Sequence, residues 1–113
     1  MGDKNPDQRK RRPPPQGAVC AIVRVETLGG KSGEFASLLS DLAYRVRNEE
    51  DGCTSYLVTR AMGSPDIFAV HARFEDWAAF KGHADTAHLK RALPRINALL
   101  ASPIAMELYL EVD

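Results

Sequence analysis

The amino-acid sequence predicts a single α+β domain in the order β-α-β-β-α-β. Three features predict it. Four stretches alternate apolar and polar residues with the two-residue period of a strand. One long stretch carries a single apolar stripe at helical spacing. A second helical region, broken by turn-forming residues, lies between the third and fourth strand candidates. This is the split βαβ, or ferredoxin-like, pattern. The expected antiparallel sheet order is 4-1-3-2, with the helices on one face.

Met1 to Gly17 has no periodic apolar positions and contains Pro13-Pro14-Pro15. Residues 1–17 are expected to form a disordered or polyproline-II tail ahead of a folded domain at 18–113. Ala18 to Leu28 sets Val19, Ala21, Val23 and Val25 on one strand face and Cys20, Ile22, Arg24 and Glu26 on the other; Gly29-Gly30 ends it. Lys31 to Glu50 places Phe35, Leu38, Leu39, Leu42 and Val46 on one helix stripe. Ser32 is expected to cap its start, and Gly52 suits a left-handed residue past its end. Cys53 to Arg60 and Ile67 to Phe74 form a hairpin around Met62-Gly63-Ser64-Pro65-Asp66. Phe68, Val70, Ala72 and Phe74 share one face of the second of these strands, with Ala69, His71 and Arg73 opposite.

Asp76 can cap a short helix reaching about Gly82. Another is expected from about Asp85 to Leu100, with Leu89, Leu93, Ile96 and Leu100 as its stripe. Pro94 should kink or split it. Ile104 to Val112 alternates Ile104, Met106, Leu108 and Leu110 against Ala105, Glu107, Tyr109 and Glu111. Apolar side chains also fall on the sheet face away from the helices, at Cys20, Ile22 and Ala69. An apolar face left wet is a physical reason to expect a homodimer whose two sheets pack together.

The chain of 113 residues has room for one core, and its net charge is zero. The charge is uneven. Residues 1–17 carry five basic groups against Asp3 and Asp7, which leaves the domain acidic. An acidic domain argues against nucleic acid as the main partner. Arg9-Lys10-Arg11-Arg12 could still bind RNA, anionic lipid or a proline-recognising module, or serve only as a solubilising leader. No apolar run is long enough to cross a membrane, and the basic N-terminus has no apolar stretch behind it to make a secretory signal. Cys20 and Cys53 match neither a disulfide framework nor a zinc pattern, so a reducing cytoplasm is the expected compartment, with both thiols as buried apolar residues.

Few residues invite chemistry by type and spacing. There is no Gly-rich phosphate loop, nucleophile elbow or paired Cys cluster. His83 and His88 are five positions apart, and one continuous helix would turn them away from each other, so no metal site is expected there. A single histidine can act as a general base near neutral pH, or simply be a hydrogen-bonded structural residue. Tyr56, Phe74, Trp77 and Phe80 form either ordinary core or a flat apolar slot for an aromatic ligand, with Tyr56 or His83 as its polar anchor. Arg73 beside Glu75 is expected to be a surface ion pair.

Several segments together resemble the antibiotic biosynthesis monooxygenase family over about residues 18–112. They are Gly30-Lys31 with Phe35; Glu49, Gly52-Cys53 and Tyr56; Phe74-Glu75-Asp76 with Ala79-Phe80 and His83; and then His88. The resemblance implies a ferredoxin-like dimer with a ligand cavity between sheet and helices. It also implies oxygenation of an electron-rich aromatic by O2 with no cofactor, neither flavin nor metal. His83 is then the base, Phe74, Trp77 and Phe80 the walls, and Tyr56 and Lys90 further substrate contacts. The sequence departs from the family's branches. The Asn, Trp, Tyr and Arg of the quinone-forming branch appear as Val70, Phe74, Phe80 and Lys90. The Asn, Trp and His of the haem-degrading branch appear as Ala21, Phe74 and Leu93, and a frequent glutamate as Ala72.

The leading expectation is therefore a cofactor-independent monooxygenase acting on a phenol, quinol or polyketide-like aromatic. One alternative is a non-catalytic dimeric ligand-binding or stress-response module. Another is a sugar-phosphate isomerase, since a relative with a His…Thr-x-His segment isomerises a phosphorylated sugar. Lys90 is the one internal cation expected for such a phosphate.

Overall fold

The computed structural model describes residues 16–113. Residues 1–15, most of the expected tail, lie outside the described residues. The elements are β1 (Val19–Glu26), α1 (Ser32–Glu49), β2 (Cys53–Arg60), β3 (Ile67–Phe74), α2 (Trp77–Ala84), α3 (Ala87–Ala98) and β4 (Ala105–Leu110). The sheet order is β2-β3-β1-β4, all antiparallel. It is the expected 4-1-3-2 order of a ferredoxin-like α+β fold, read from the other edge.

The strands alternate as their side chains require. Val19, Ala21 and Val25 of β1 register against Phe74, Ala72 and Phe68 of β3, and all six are buried. The α1 stripe meets this face with Phe35, Leu38, Leu39, Leu42, Ala43 and Val46, all buried. Phe35 and Phe68, both fully buried, pack with their rings tilted by 56° at 5.1 Å between centroids. Gly30, with φ of 78°, makes the left-handed turn from β1 into α1 that residues bearing a Cβ resist.

Several local expectations are corrected. Ser32 is the first residue of α1, not its cap; Lys31 occupies the cap position and makes no side-chain cap bond. Gly52 is not left-handed. Glycine is needed there because a Cβ would lie 2.5 Å from the Cβ of Ala79 on α2. The bare backbone lets α2 dock, and the Gly52 carbonyl accepts a bond from the Glu75 amide at 2.8 Å. Pro94 does not split α3, which runs through it to Ala98. The phase of α3 is also turned by one residue. His88, Ala92 and Ile96 are buried, while Leu89 and Leu93 are only partly covered. Arg73 does not pair with Glu75. Its guanidinium forks onto Glu111 at 2.6 and 2.8 Å and onto Thr54 at 3.0 Å, joining β2, β3 and the residue after β4 across the open face. Cys20 and Cys53 are half-buried free thiols.

At the sheet edge, every residue of β4 is exposed. Met106, Leu108 and Leu110 register with Val23, Ala21 and Val19, on the helix side of the sheet, but β4 packs against β1 alone to any extent. No helix among the described residues is long and apolar enough to cross a membrane.

The close approach at Gly52 gives a direct test. Gly52→Ala is expected to lower unfolding free energy by about 1–3 kcal/mol, the usual scale of overpacking. Adding Ala79→Gly should recover most of the loss, and urea unfolding of the two single variants and the double variant measures the coupling.

Candidate active site

Helix α1 ends with Glu50 at its C-cap, whose amide donates to the Val46 carbonyl at 3.0 Å. A carboxylate there meets the negative end of the helix dipole. The Glu50 side chain is also only 10 % exposed, so solvation cannot offset that repulsion. Its compensation comes from two histidines. His83 Nδ1 lies 2.8 Å from Glu50 Oε1 and 3.0 Å from Oε2. His88 Nε2 is hydrogen-bonded to Oε2. The His83 ring is nearly as buried as the carboxylate, and the His88 ring is more so.

A break in the helical region brings the two histidines together. Asp76 Oδ1 accepts from the Ala79 amide at 2.8 Å and starts α2. α2 ends at Ala84, and Thr86 re-caps the chain for α3. The Thr86 hydroxyl donates to the His83 carbonyl at 2.8 Å and accepts from the Leu89 amide at 3.4 Å. His83 is thus on one helix and His88 on the next, and the change of direction aims both at Glu50. The expectation of divergent histidines assumed a single helix.

A carboxylate accepts and does not donate, so His83 carries its proton on Nδ1 when Glu50 is ionised. That leaves Nε2 as a lone-pair acceptor, the form a general base needs. The His83 ring packs 5.2 Å from Phe74 and 5.8 Å from Tyr56, centroid to centroid. Phe80 meets Phe74 edge-on at 5.6 Å, and Trp77 lies 5.4 Å from Phe80. Four of the residues singled out in the sequence, Tyr56, Phe74, Phe80 and His83, therefore lie in one cluster, and Trp77 flanks it. Burial pushes the Tyr56 phenol up to about 12, and the Glu50 carboxylate adds to the effect. The described residues give its hydroxyl no hydrogen-bond partner, and the neutral O–H is a donor at neutral pH. Arg47 on α1 donates to the Tyr56 carbonyl at 2.9 Å and ties the end of α1 to β2.

Lys90 stands apart. It is exposed on α3, two residues past buried His88, where the helix turns it away from the packed stripe. It is not the internal cation that the sequence led us to expect. His71 is exposed on the open sheet face, opposite the face that carries Phe74. Glu50 was missed altogether. It sits in a run of three acidic residues, Glu49-Glu50-Asp51, and only its burial distinguishes it. The one available signal was Asp85-Thr86, a cap sequence between the two histidines. Among the described residues no group of three His, Cys, Asp or Glu side chains is arranged to hold a metal ion.

A groove of about 680 Å³ runs between α1 and α3, beside His88. Leu38, Leu42 and Ala92 floor it, with Arg45, Glu49 and His88 among its walls.

A family model described as antibiotic biosynthesis monooxygenase matches residues 18–95. Solved structures share the fold. A candidate antibiotic biosynthesis monooxygenase of Caulobacter crescentus CB15 is 26 % identical with a TM-score of 0.83, over 87 % of this chain and 92 % of its own. A candidate of the same kind from Nitrosomonas europaea is 17 % identical with a TM-score of 0.81, over 86 % and 93 %. A Mycobacterium tuberculosis protein is 22 % identical with a TM-score of 0.79, over 85 % and 96 %. No curated protein matches the chain.

The buried phenol makes stability depend on alkaline pH. The unfolded Tyr56 loses its proton near 10, whereas the folded one keeps it to about 12. Across that window the folded state binds a proton that the unfolded state has lost, so stability is full below 10 and falls as pH rises. The slope contributed is at most about 1.4 kcal/mol per pH unit. Urea unfolding at pH 9 and 11 should show this fall in the wild type and a shallower one in Tyr56→Phe.

Proposed function

The chain belongs to the antibiotic biosynthesis monooxygenase family, and on that premise we propose that it is a cofactor-independent monooxygenase that oxidises a phenol, quinol or polyketide-like aromatic with O2. The observation that carries this reading is the Glu50–His83 pair set against the rings of Tyr56 and Phe74. His83 Nε2 takes the proton of the substrate hydroxyl, and the O–H electron pair stays on the ring as a phenolate. The electron-rich phenolate is the reductant. One oxygen atom of O2 enters the ring and the other leaves as water, so a phenol goes to a quinone with the substrate supplying every electron. Phe74, Phe80 and Trp77 offer flat apolar surfaces for the ring and exclude water. Tyr56 O–H donates to the developing oxyanion.

A second reading, a sugar-phosphate isomerase, is favoured by one observation: both histidines of the His83…Thr86-x-His88 segment converge on Glu50, a set suited to moving protons. Oxygen electrode measurements on metal-free protein with a panel of quinols separate the two. Consumption of O2 with quinone formation supports the oxygenase, and none across the panel overturns it. His83→Ala should lower turnover about 10²–10⁴-fold with the melting temperature retained, the usual scale for a positioned base. His71→Ala, on the open face, is the control; equal losses in both variants would make His83 structural.

We also propose that two copies associate through the open sheet face and β4. Ile22 and Leu57 flank His71 in adjacent strands there, and the exposed apolar side chains continue round the β4 edge through Met106, Leu108 and Leu110. Such an interface should bury at least about 1,000 Å². Light scattering at micromolar concentration should give twice the chain mass; a monomer mass would rule the dimer out.

A further inference from the structure

The groove between α1 and α3 holds chemistry that the proposed oxygenation does not use. Its floor is apolar, formed by the buried Leu38 and Leu42 of α1 and Ala92 of α3. Tyr44 stands at its wall with the side chain two-thirds exposed, which leaves an aromatic face free. Three guanidiniums, of Arg45, Arg91 and Arg95, line it against two carboxylates, of Asp41 and Glu49. Arg45 and Glu49 are paired with each other at 3.2 Å. Arg91 and Arg95, one turn apart on α3, make no ion pair among the described residues, and the two together outweigh Asp41. Like charges at that helical spacing repel, and an anion between them relieves the cost. His88 supplies a second, independent observation. Its side chain is more than nine-tenths buried, and its Nε2 is committed to Glu50. Its Nδ1 is the nitrogen on the groove side, where Glu49 Oε1 lies at 3.7 Å, beyond hydrogen-bond reach. Among the described residues that nitrogen has no hydrogen-bond partner, and a buried polar atom left unpaired costs free energy until something binds it.

We propose that this groove is a second binding site, for a hydroxylated aromatic acid, with the ligand's hydroxyl on His88 Nδ1 and its carboxylate between Arg91 and Arg95. Each part of such a ligand answers one part of the groove. The ring covers Leu38, Leu42 and Ala92 and meets the face of Tyr44. A hydroxyl both donates and accepts, so it satisfies Nδ1 whichever protonation state the imidazole holds. The carboxylate takes charge-assisted bonds from the guanidiniums. At the rise of an α-helix, Arg91 stands about 4.5 Å and Arg95 about 10 Å along α3 from His88, a span that a benzene ring with two opposed substituents bridges. A volume of about 680 Å³ is of the size that small-molecule sites have. The chain's own residues 1–15 are poor occupants, because Arg9-Lys10-Arg11-Arg12 would meet like charge. The proposed dimer uses the open sheet face and β4, so it leaves the helix side, and the groove, reachable.

The probe is 4-hydroxybenzoate, titrated into the full chain labelled with nitrogen-15 at neutral pH. The expected result is a saturable shift of the His88 side-chain nitrogens and of the α3 amides around Arg91, with a Kd of about 10 mM or tighter, the reach of a ligand with so few atoms. Arg91→Ala combined with Arg95→Ala, both at exposed positions, should weaken binding at least about tenfold. Lys90→Ala removes the same charge from the same helix outside the groove and should leave the Kd unchanged. Benzoate, which lacks the hydroxyl, should bind several-fold more weakly. Tyramine, a phenol with a cation in place of the carboxylate, should leave the groove signals unmoved. The site is overturned by shifts that do not saturate, or by shifts confined to Phe74, Trp77 and Phe80, which would place the acid in the aromatic cluster alone. Equal losses in Lys90→Ala and the double arginine variant overturn it as well, as does benzoate or tyramine binding as tightly as 4-hydroxybenzoate. Consumption of O2 plays no part in these measurements, so a chain that binds the acid and oxidises no quinol loses the oxygenase reading and keeps the groove site.

Discussion

A negative charge at the carboxyl end of a helix is opposed by the helix itself, and burial removes the water that would otherwise soften the conflict. Glu50 is held in that position, and the arrangement around it follows from the need to satisfy it. The two imidazoles that do so come from different helices, so those helices must be separate and must meet the end of α1 at a fixed angle. Thr86 supplies the separation, with its hydroxyl closing α2 on the His83 carbonyl. The bare backbone of Gly52 supplies the approach, because α2 could not come so near a residue with a Cβ. Arg47 holds the helix end to the sheet through the Tyr56 carbonyl. Replacing the carboxylate by an apolar group would leave two buried imidazoles without their acceptor, so these polar groups stand or fall together.

Much of the fold is written in periodicity. The alternation in β1 and β3 and the stripe Phe35, Leu38, Leu39, Leu42 and Val46 on α1 are local patterns with one physical meaning each, and the sheet order follows from connecting them. The aromatic half of the site was legible in the same way, as large rings at spacings that face one side. The charged half was not. Nothing in Glu49-Glu50-Asp51 marks the middle residue as buried, since burial there depends on where α2 and α3 return in space. The same ambiguity of phase misplaced Lys90. The leucines Leu89 and Leu93 define a plausible stripe, but the packed stripe runs through His88, Ala92 and Ile96. A buried histidine is invisible to a reading that treats polar residues as solvent-facing, and α3 is oriented by one.

Topology carries a different consequence, for the time course of folding. β1 lies in the interior of the sheet, hydrogen-bonded to β3 on one side and to β4 on the other. The β2–β3 hairpin and α1 are local and can form early, but the first strand has no neighbouring partner in sequence. It waits for β3, and it waits longest for β4, the last strand of the domain. Contacts between such distant segments raise the entropy that must be lost before they are rewarded, which slows folding. During synthesis on the ribosome, Ile22 and Val23 therefore emerge long before the strand that covers their edge, and the nascent chain presents a β-branched segment with unpaired amides for most of its elongation. An uncovered strand of this kind is a site at which chains pair wrongly or aggregate until its partner arrives.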